Sequence, residues 1–389
     1  MMKPLDRRAM LAGTMALGAT TLATPRMAFA RTAGDKNLLL VVLRGAADGL
    51  AMLAPLGDPD FARTRPQALP DYEGARKAND FFAIHPSFEQ VGAAYGAGDA
   101  LFVHAAATTY RERSHFEGQD MLETGAAKPY AKRNGWLNGL VAMMGQAAGA
   151  PPKALAIAPT MPLALRGPAP ASSYAPSALP EASAEFMERV GLLYQSDPQL
   201  GTLWNQALET QAMASDSTLR NLRDAKASGE LAASLMRDED GARIAMIEIG
   251  GWDSHANQRG QFARQARSLD ALLGAYRTSM GSAWSNTLVL VATEFGRTVR
   301  YNGTNGTDHG TASAALVMGG AVRGGRVMAD WPGLGANALY EGRDLKPTVA
   351  LESVLAGATA EHFGMDPKAL MSRLFPGRQA SALSGIIRA

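Results

Sequence analysis

The residues best equipped for chemistry stand just past short apolar runs. One stretch reads Gly250-Gly251-Trp252-Asp253-Ser254-His255-Ala256-Asn257, and another Thr307-Asp308-His309-Gly310. Asp253 with His255, and Asp308 with His309, each pair a carboxylate oxygen with an imidazole nitrogen. Such donors suit Zn, Mn or Fe, whereas carboxylates alone suit Ca or Mg. A third stretch, Thr108 to His115, leads into a helix-like run from Phe116 to Glu123. Ser114 is the candidate nucleophile there, because backbone N–H groups at a helix start can hold an anionic group. Thr108 and Thr109 are alternatives, and Ser114 with Glu117 also fits a capping box. Two further stretches are polar and glycine-flanked, Arg44–Gly49 and Thr293–Arg297.

These loops need elements to position them. Asn37–Leu43, Ala100–Ala106, Ala154–Ala158, Ile244–Ile249, Thr287–Ala292 and Ala314–Met318 are short apolar runs and are expected to be strands. The near-continuous apolar character of the first and fifth predicts a largely parallel sheet covered on both faces, an α/β fold. Ligands of such sheets bind beyond the carboxyl ends of the strands, so five loops are expected to converge at one edge. Pro168–Pro180 reads as a loop, Glu181–Arg237 as a helical insertion, and Val349–Leu374 as a closing helical region. Neither a G-x-G-x-x-G fingerprint nor a P-loop is present.

Composition narrows the chemistry. With no cysteine among 389 residues, thiolate metal sites, disulfide scaffolds and cysteine nucleophiles are excluded. Lys3, Arg7, Arg8 and Arg26 against Asp6 give the first thirty residues +3, which leaves −1 for the remainder of a chain at +2. A near-neutral mature surface speaks against nucleic-acid binding by bulk charge. Arg7-Arg8 precede a mildly apolar run from Ala9 to Ala23, and Ala28-Phe29-Ala30 offers a small-x-small cleavage site. Residues 1–30 are therefore expected to be a twin-arginine signal, with residues 31–389 as one mature domain in the periplasm or secreted. Three threonines and two glycines make the apolar run a poor membrane span.

The motifs RGAADGL (44–50), RSHFEGQD (113–120), PLALRGPAP (162–170), GGWDSHANQ (250–258), TEFGRT (293–298), NGTNGTDHG (302–310) and RLFPG (373–377) resemble a bacterial twin-arginine-exported family. It is number 1501 among the domains of unknown function, and the resemblance covers roughly residues 36–378. That family is grouped with the alkaline phosphatase and sulfatase superfamily. The resemblance implies an alkaline phosphatase-like fold and a metal-dependent hydrolase of phosphate or sulfate esters. By that resemblance Asp48, Asp253, His255, Glu294 and His309 would hold one or two divalent ions, Zn, Mn, Ca or Mg. Ser114 would be the nucleophile, His115 an acid or further ligand, and Arg297 a charge stabiliser.

One departure stands out in that pattern. Where the superfamily has Asp-His-Gly, this chain has Glu294-Phe295-Gly296, with Arg297 beside it. A carboxylate survives and an imidazole is lost. The expected partners are a small-molecule or glycan ester and the twin-arginine export machinery. The alternative expectation is a periplasmic binding protein that keeps the fold without catalysis.

Overall fold

The structure is a computed structural model that describes residues 35–149, 151–176, 184–194, 197–213 and 222–388. The expected export signal, residues 1–30, lies outside the described residues. Eleven strands follow in chain order. They are β1 (Asn37–Leu43), β2 (Leu53–Ala54), β3 (Ala83–Ile84), β4 (Ala100–Ala107), β5 (Ala154–Ile157), β6 (Ser172–Tyr174), β7 (Ile244–Ile249), β8 (Thr287–Thr293), β9 (Ser313–Met318), β10 (Arg326–Met328) and β11 (Val349–Ala350).

Apart from Asn37 at its edge, β1 is a run of leucine and valine, and all seven residues are buried. Such a run suits a strand with neighbours on both edges and layers on both faces. It lies between β7 and β8, parallel to both, with Leu40 opposite Met246 and Leu290. Each leucine or valine buried there contributes on the order of 1.5–3 kcal/mol. The sheet runs β10-β4-β9-β8-β1-β7-β5-β6, with β11 also paired to β4, while β2 and β3 form a separate pair. Among these nine strands only β9 runs against its neighbours. The mostly parallel α/β architecture is the expected one, and the six apolar runs are strands at or within two residues of the expected bounds.

Pro168–Pro180 departs from expectation. Ser172–Tyr174 pairs parallel with β5 as the edge strand β6. Its residues are only half-buried or exposed, so no apolar run announced it. Helices Ala184–Tyr194, Pro198–Met213 and Ala225–Met236 follow β6. The last of them packs along the long helix Gln258–Met280, with Leu231, Leu235, Leu269 and Leu272 in the shared core. Helices Leu351–Phe363 and Pro367–Leu374 close the chain.

Candidate metal centre

Strands β1, β4, β7 and β8 all end at one edge, and the antiparallel β9 begins there. The five loops that carry the polar residues therefore meet. Their backbones interlock: Thr307 N donates to Ser254 O at 2.9 Å, and Arg297 and His309 form an isolated antiparallel bridge. Two glycines permit this closeness. A Cβ on Gly45, which has φ +112°, would lie 2.6 Å from Asp253 N. A Cβ on Gly306 would lie 2.0 Å from the His255 backbone. No larger residue fits at either place.

The side chains converge as well. Ligating atoms of His115, Asp253 and His309 all lie within 4.8 Å of one another. His255 Nε2 joins them, 3.0 Å from Asp253 Oδ1 and 3.0 Å from His309 Nε2. His309 Nε2 is 3.3 Å from the same oxygen, and His115 Nε2 is 3.5 Å from Oδ2. Three imidazoles thus point one nitrogen each at a single carboxylate.

The opposite nitrogens explain why. His115 Nδ1 meets Glu294 Oε1 at 2.8 Å, His255 Nδ1 meets Asp308 Oδ1 at 3.2 Å, and His309 Nδ1 meets Arg113 O at 2.8 Å. All three partners are acceptors, so each Nδ1 donates and each neutral ring keeps its Nε2 lone pair bare. Metal-ligating histidines are held in this way, by a carboxylate or carbonyl behind the ring. His115 Nε2 is buried without a hydrogen-bond partner in the structure. A divalent ion that accepts nitrogen would satisfy it, and the set of three imidazoles and one carboxylate suits Zn, Mn or Fe.

Arg297 sits beneath this cluster and is 1% exposed. Its Nη1 donates to Asp253 Oδ1 at 2.9 Å and its Nε to Thr307 Oγ1 at 3.1 Å. Arg297 thus holds Asp253 from below through Nη1, while its Nη2 is buried without a hydrogen-bond partner. Burial pushes the Asp253 carboxyl up, but the Arg297 guanidinium and then His255 and His115 outweigh it and hold it below the usual range.

Asp48 is not brought to the cluster. It caps the short helix Gly49–Met52, its Oδ1 accepting from Leu50 N and Ala51 N. Its Oδ2 accepts from Arg65 Nη1 at 2.7 Å and Gln258 Nε2 at 2.6 Å. Arg65 is itself fully buried and also bonds Thr298 O and Val299 O. Both oxygens of Asp48 are thus engaged, by the helix start on one side and by Arg65 and Gln258 on the other. Removing one partner of such a buried pair costs roughly 3–5 kcal/mol. Arg65, Gln258 and Thr307 were not singled out by the sequence reading. Their polar atoms link Asp48 to Arg297 through bonds between residues far apart in the chain.

Glu294 stands behind His115. Its carboxylate accepts from His115 Nδ1, Gly45 N, Gln119 Nε2 and Thr293 Oγ1. Burial pushes it up, yet the bonds from His115 and the backbone hold it below its usual range. The same hydrogen bond raises His115, while burial lowers His309. Phe295, where an imidazole was missed, stacks on His115 with centroids 5.1 Å apart and lies 5.3 Å from His309. It is an apolar wall that fixes both rings. Glu294→Gln should weaken metal binding about 10–100-fold, the usual cost of losing such a backing group. A chelator-competition titration measures this, and an unchanged affinity would remove His115 from the ligand set.

Ser114 precedes the helix His115–Thr124 and makes no side-chain cap bond. The capping box is absent, because Glu117 pairs with the Tyr110 hydroxyl instead. That hydroxyl also accepts from Ser114 N at 3.1 Å. Thr108 Oγ1 accepts from Tyr110 N, and Thr109 Oγ1 is bonded to Arg378. Of the three hydroxyls, Ser114 alone adjoins a histidine of the cluster.

The family model described as Protein of unknown function (DUF1501) matches residues 35–375. No curated protein matches the sequence. Among solved structures, the C-terminal periplasmic domain of EcEptC from Escherichia coli in complex with Zn is similar at 10% identity. It covers 74% of each chain with a TM-score of 0.35. Alkaline phosphatase from the Antarctic bacterium TAB5 is similar at 11% identity over 75% of this chain and 94% of that one, with a TM-score of 0.34. The lipoteichoic acid synthase LtaP from Listeria monocytogenes is similar at 8% identity over 90% and 74%, with a TM-score of 0.35.

Proposed function

The chain belongs to the family described as Protein of unknown function (DUF1501), and we propose from its own residues that it is an exported metal-dependent hydrolase of phosphate or sulfate esters. The observation that carries this is the convergence of three imidazole Nε2 atoms on Asp253, each ring backed by an acceptor at Nδ1. His115, Asp253, His255 and His309 would hold the ion, which makes a single centre the reading the donors support. When bound, such an ion supplies Lewis-acid polarisation of a phosphoryl or sulfuryl oxygen.

The protein's own groups do the rest. Ser114 Oγ attacks phosphorus or sulfur, the alcohol leaves, and water then frees the anion from the serine. The start of helix His115–Thr124 presents backbone N–H groups beside that serine. Arg297 keeps Asp253 ionised and oriented, and Phe295 excludes water from behind His115 and His309. Arg7-Arg8 and the run after them support export by the twin-arginine route, to the periplasm or beyond. Among the described residues no helix is long and apolar enough to cross a membrane.

The test is turnover of a panel of phosphate and sulfate monoesters by the mature, metal-loaded chain. Ser114→Ala should lower kcat at least 10²-fold while metal content stays unchanged, since the nucleophile is lost and the ligands remain. Phe295 in place of an imidazole favours a second reading, an exported binder without catalysis. Tight binding of an ester that is never turned over would establish it instead.

A further inference from the structure

Beside the centre lies a cleft of about 340 Å³ with no role in the chemistry above. Helix His115–Thr124 joins the two. His115, Gln119 and Glu123 recur every four residues along one stripe of that helix. His115 faces the centre, while Gln119 and Glu123 line the cleft. Gln119 Nε2 also donates to Glu294 Oε1, the group behind His115. A molecule in the cleft therefore lies next to the ester bond that the centre would cut.

Two aromatic rings stand out into solvent at this cleft. Phe116 is 80% exposed and Tyr130 is 65% exposed. Tyr130 holds a left-handed backbone, φ 58°, and its N–H is bonded to Asp120 Oδ2 at 2.7 Å. A bulky residue in that conformation is unusual and costs local strain. The polar walls carry more acid than base, with Asp120, Glu123 and Glu248 against Arg44 and Arg166. Arg44 is paired with Glu248, Glu123 and the Gln119 carbonyl, and Arg166 Nε bonds Met161 O. No unshared cationic cluster is left for a polyanion, but carboxylates and amides remain to hydrogen-bond hydroxyl groups.

We propose that this cleft binds the alcohol part of the ester as a sugar, its C–H face packed on Phe116 and Tyr130 and its hydroxyls bonded by Gln119 and Glu248. Aromatic faces accept the apolar side of a pyranose ring, and planar polar groups accept and donate to adjacent hydroxyls in pairs. The volume falls at the small end of the usual range for ligand sites. The inference rests on the hydrolase reading for the ester, and on the cleft alone for the sugar.

The experiment uses the metal-free mature chain and four neutral disaccharides: maltose, cellobiose, lactose and N,N′-diacetylchitobiose. Saturation-transfer NMR should show contact to the ring protons of at least one. Phe116→Ala and Tyr130→Ala should each weaken that binding about tenfold with an unchanged far-ultraviolet circular dichroism spectrum. Absence of transfer to all four, or transfer unaltered in both variants, overturns the proposal. Sugar binding without turnover of any ester in the metal-loaded chain would support the cleft and defeat the hydrolase reading. Ester turnover without sugar binding would do the reverse.

Discussion

Replacing Asp253 with alanine is expected to strip the centre of its metal and to abolish ester turnover. Asp253 is the single anion in the ligand set, and its oxygens lie 3.0–3.5 Å from all three imidazole Nε2 atoms. Without it, three neutral rings would face a dication with the Arg297 guanidinium, normally 2.9 Å from Asp253 Oδ1, just beneath. Fixed positive charge then opposes binding instead of being neutralised. Loss of a backing group alone costs 10–100-fold in affinity, so loss of the shared carboxylate should exceed ~100-fold. Turnover should fall on the order of 10³-fold, since the ion's share of charge stabilisation is several kcal/mol. Alanine also leaves Arg297 buried without its partner, which threatens the fold. Asp253→Asn answers that difficulty, because its amide oxygen can still accept from Arg297. Both variants should be metal-free by mass spectrometry after dialysis, with the asparagine variant folded. Stoichiometric metal in both would sink the assignment.

The second large effect is on acid stability, and it comes from the other half of the histidines. Six histidines are present, and three form the centre. His85, His104 and His362 are buried, and burial pushes them down to about 4, about 4 and about 3. Asp71, Arg267 and Asp48 act on His85, Asp48 and Arg65 on His104, and Lys36 on His362. All three stay neutral in the fold, while in the unfolded chain they take up protons near pH 6.5. In that window the unfolded state binds more protons, so stability is full above pH 6.5 and is lost as pH falls toward 4. At pH 5 each should cost about 2 kcal/mol. His115, whose proton affinity is raised, and Glu123, whose carboxyl burial pushes up to about 7, take up protons in the fold and oppose them in part. The metal-free chain should therefore melt several degrees lower at pH 5 than at pH 7. His362→Gln can still donate to Asn37 O and should narrow that gap, because one buried neutral histidine is removed. Equal melting temperatures at the two pH values would refute the account.

The sheet was readable because its central strands are buried on both faces. Asn37–Leu43 and Thr287–Thr293 carry almost unbroken apolar runs, and such runs have few other places to go. Strands β2, β3, β6, β10 and β11 carry no such run, being two or three residues each, and the last three are half-buried or exposed at a sheet edge or end, where polar residues are tolerated. The centre was legible to the level of which loops meet, since strand ends dictate that. Its inner ordering was not. Whether a carboxylate ligates or supports depends on what reaches it from elsewhere, and Asp48 meets Gln258, 210 positions away. Glu294 is separated from Gly45 by 249 positions. Asp308 stood beside His309 in the motif, yet only the structure shows it serving His255 instead.

The spread of the four proposed ligands along the chain has a consequence in time. His115 belongs to the first third of the sequence, Asp253 and His255 lie two thirds along, and His309 comes just before β9. A growing chain on the ribosome carries at most one imidazole of the cluster until His255 is added, about two thirds of the way along. The remaining three arrive on loops anchored by β7, β8 and β9, of which β7 and β8 flank β1, made long before, and β9 pairs with β8 and β4. Closing such distant pairings is slow compared with local structure. Capture of an ion would therefore come late, once β9 has joined the sheet beside β8.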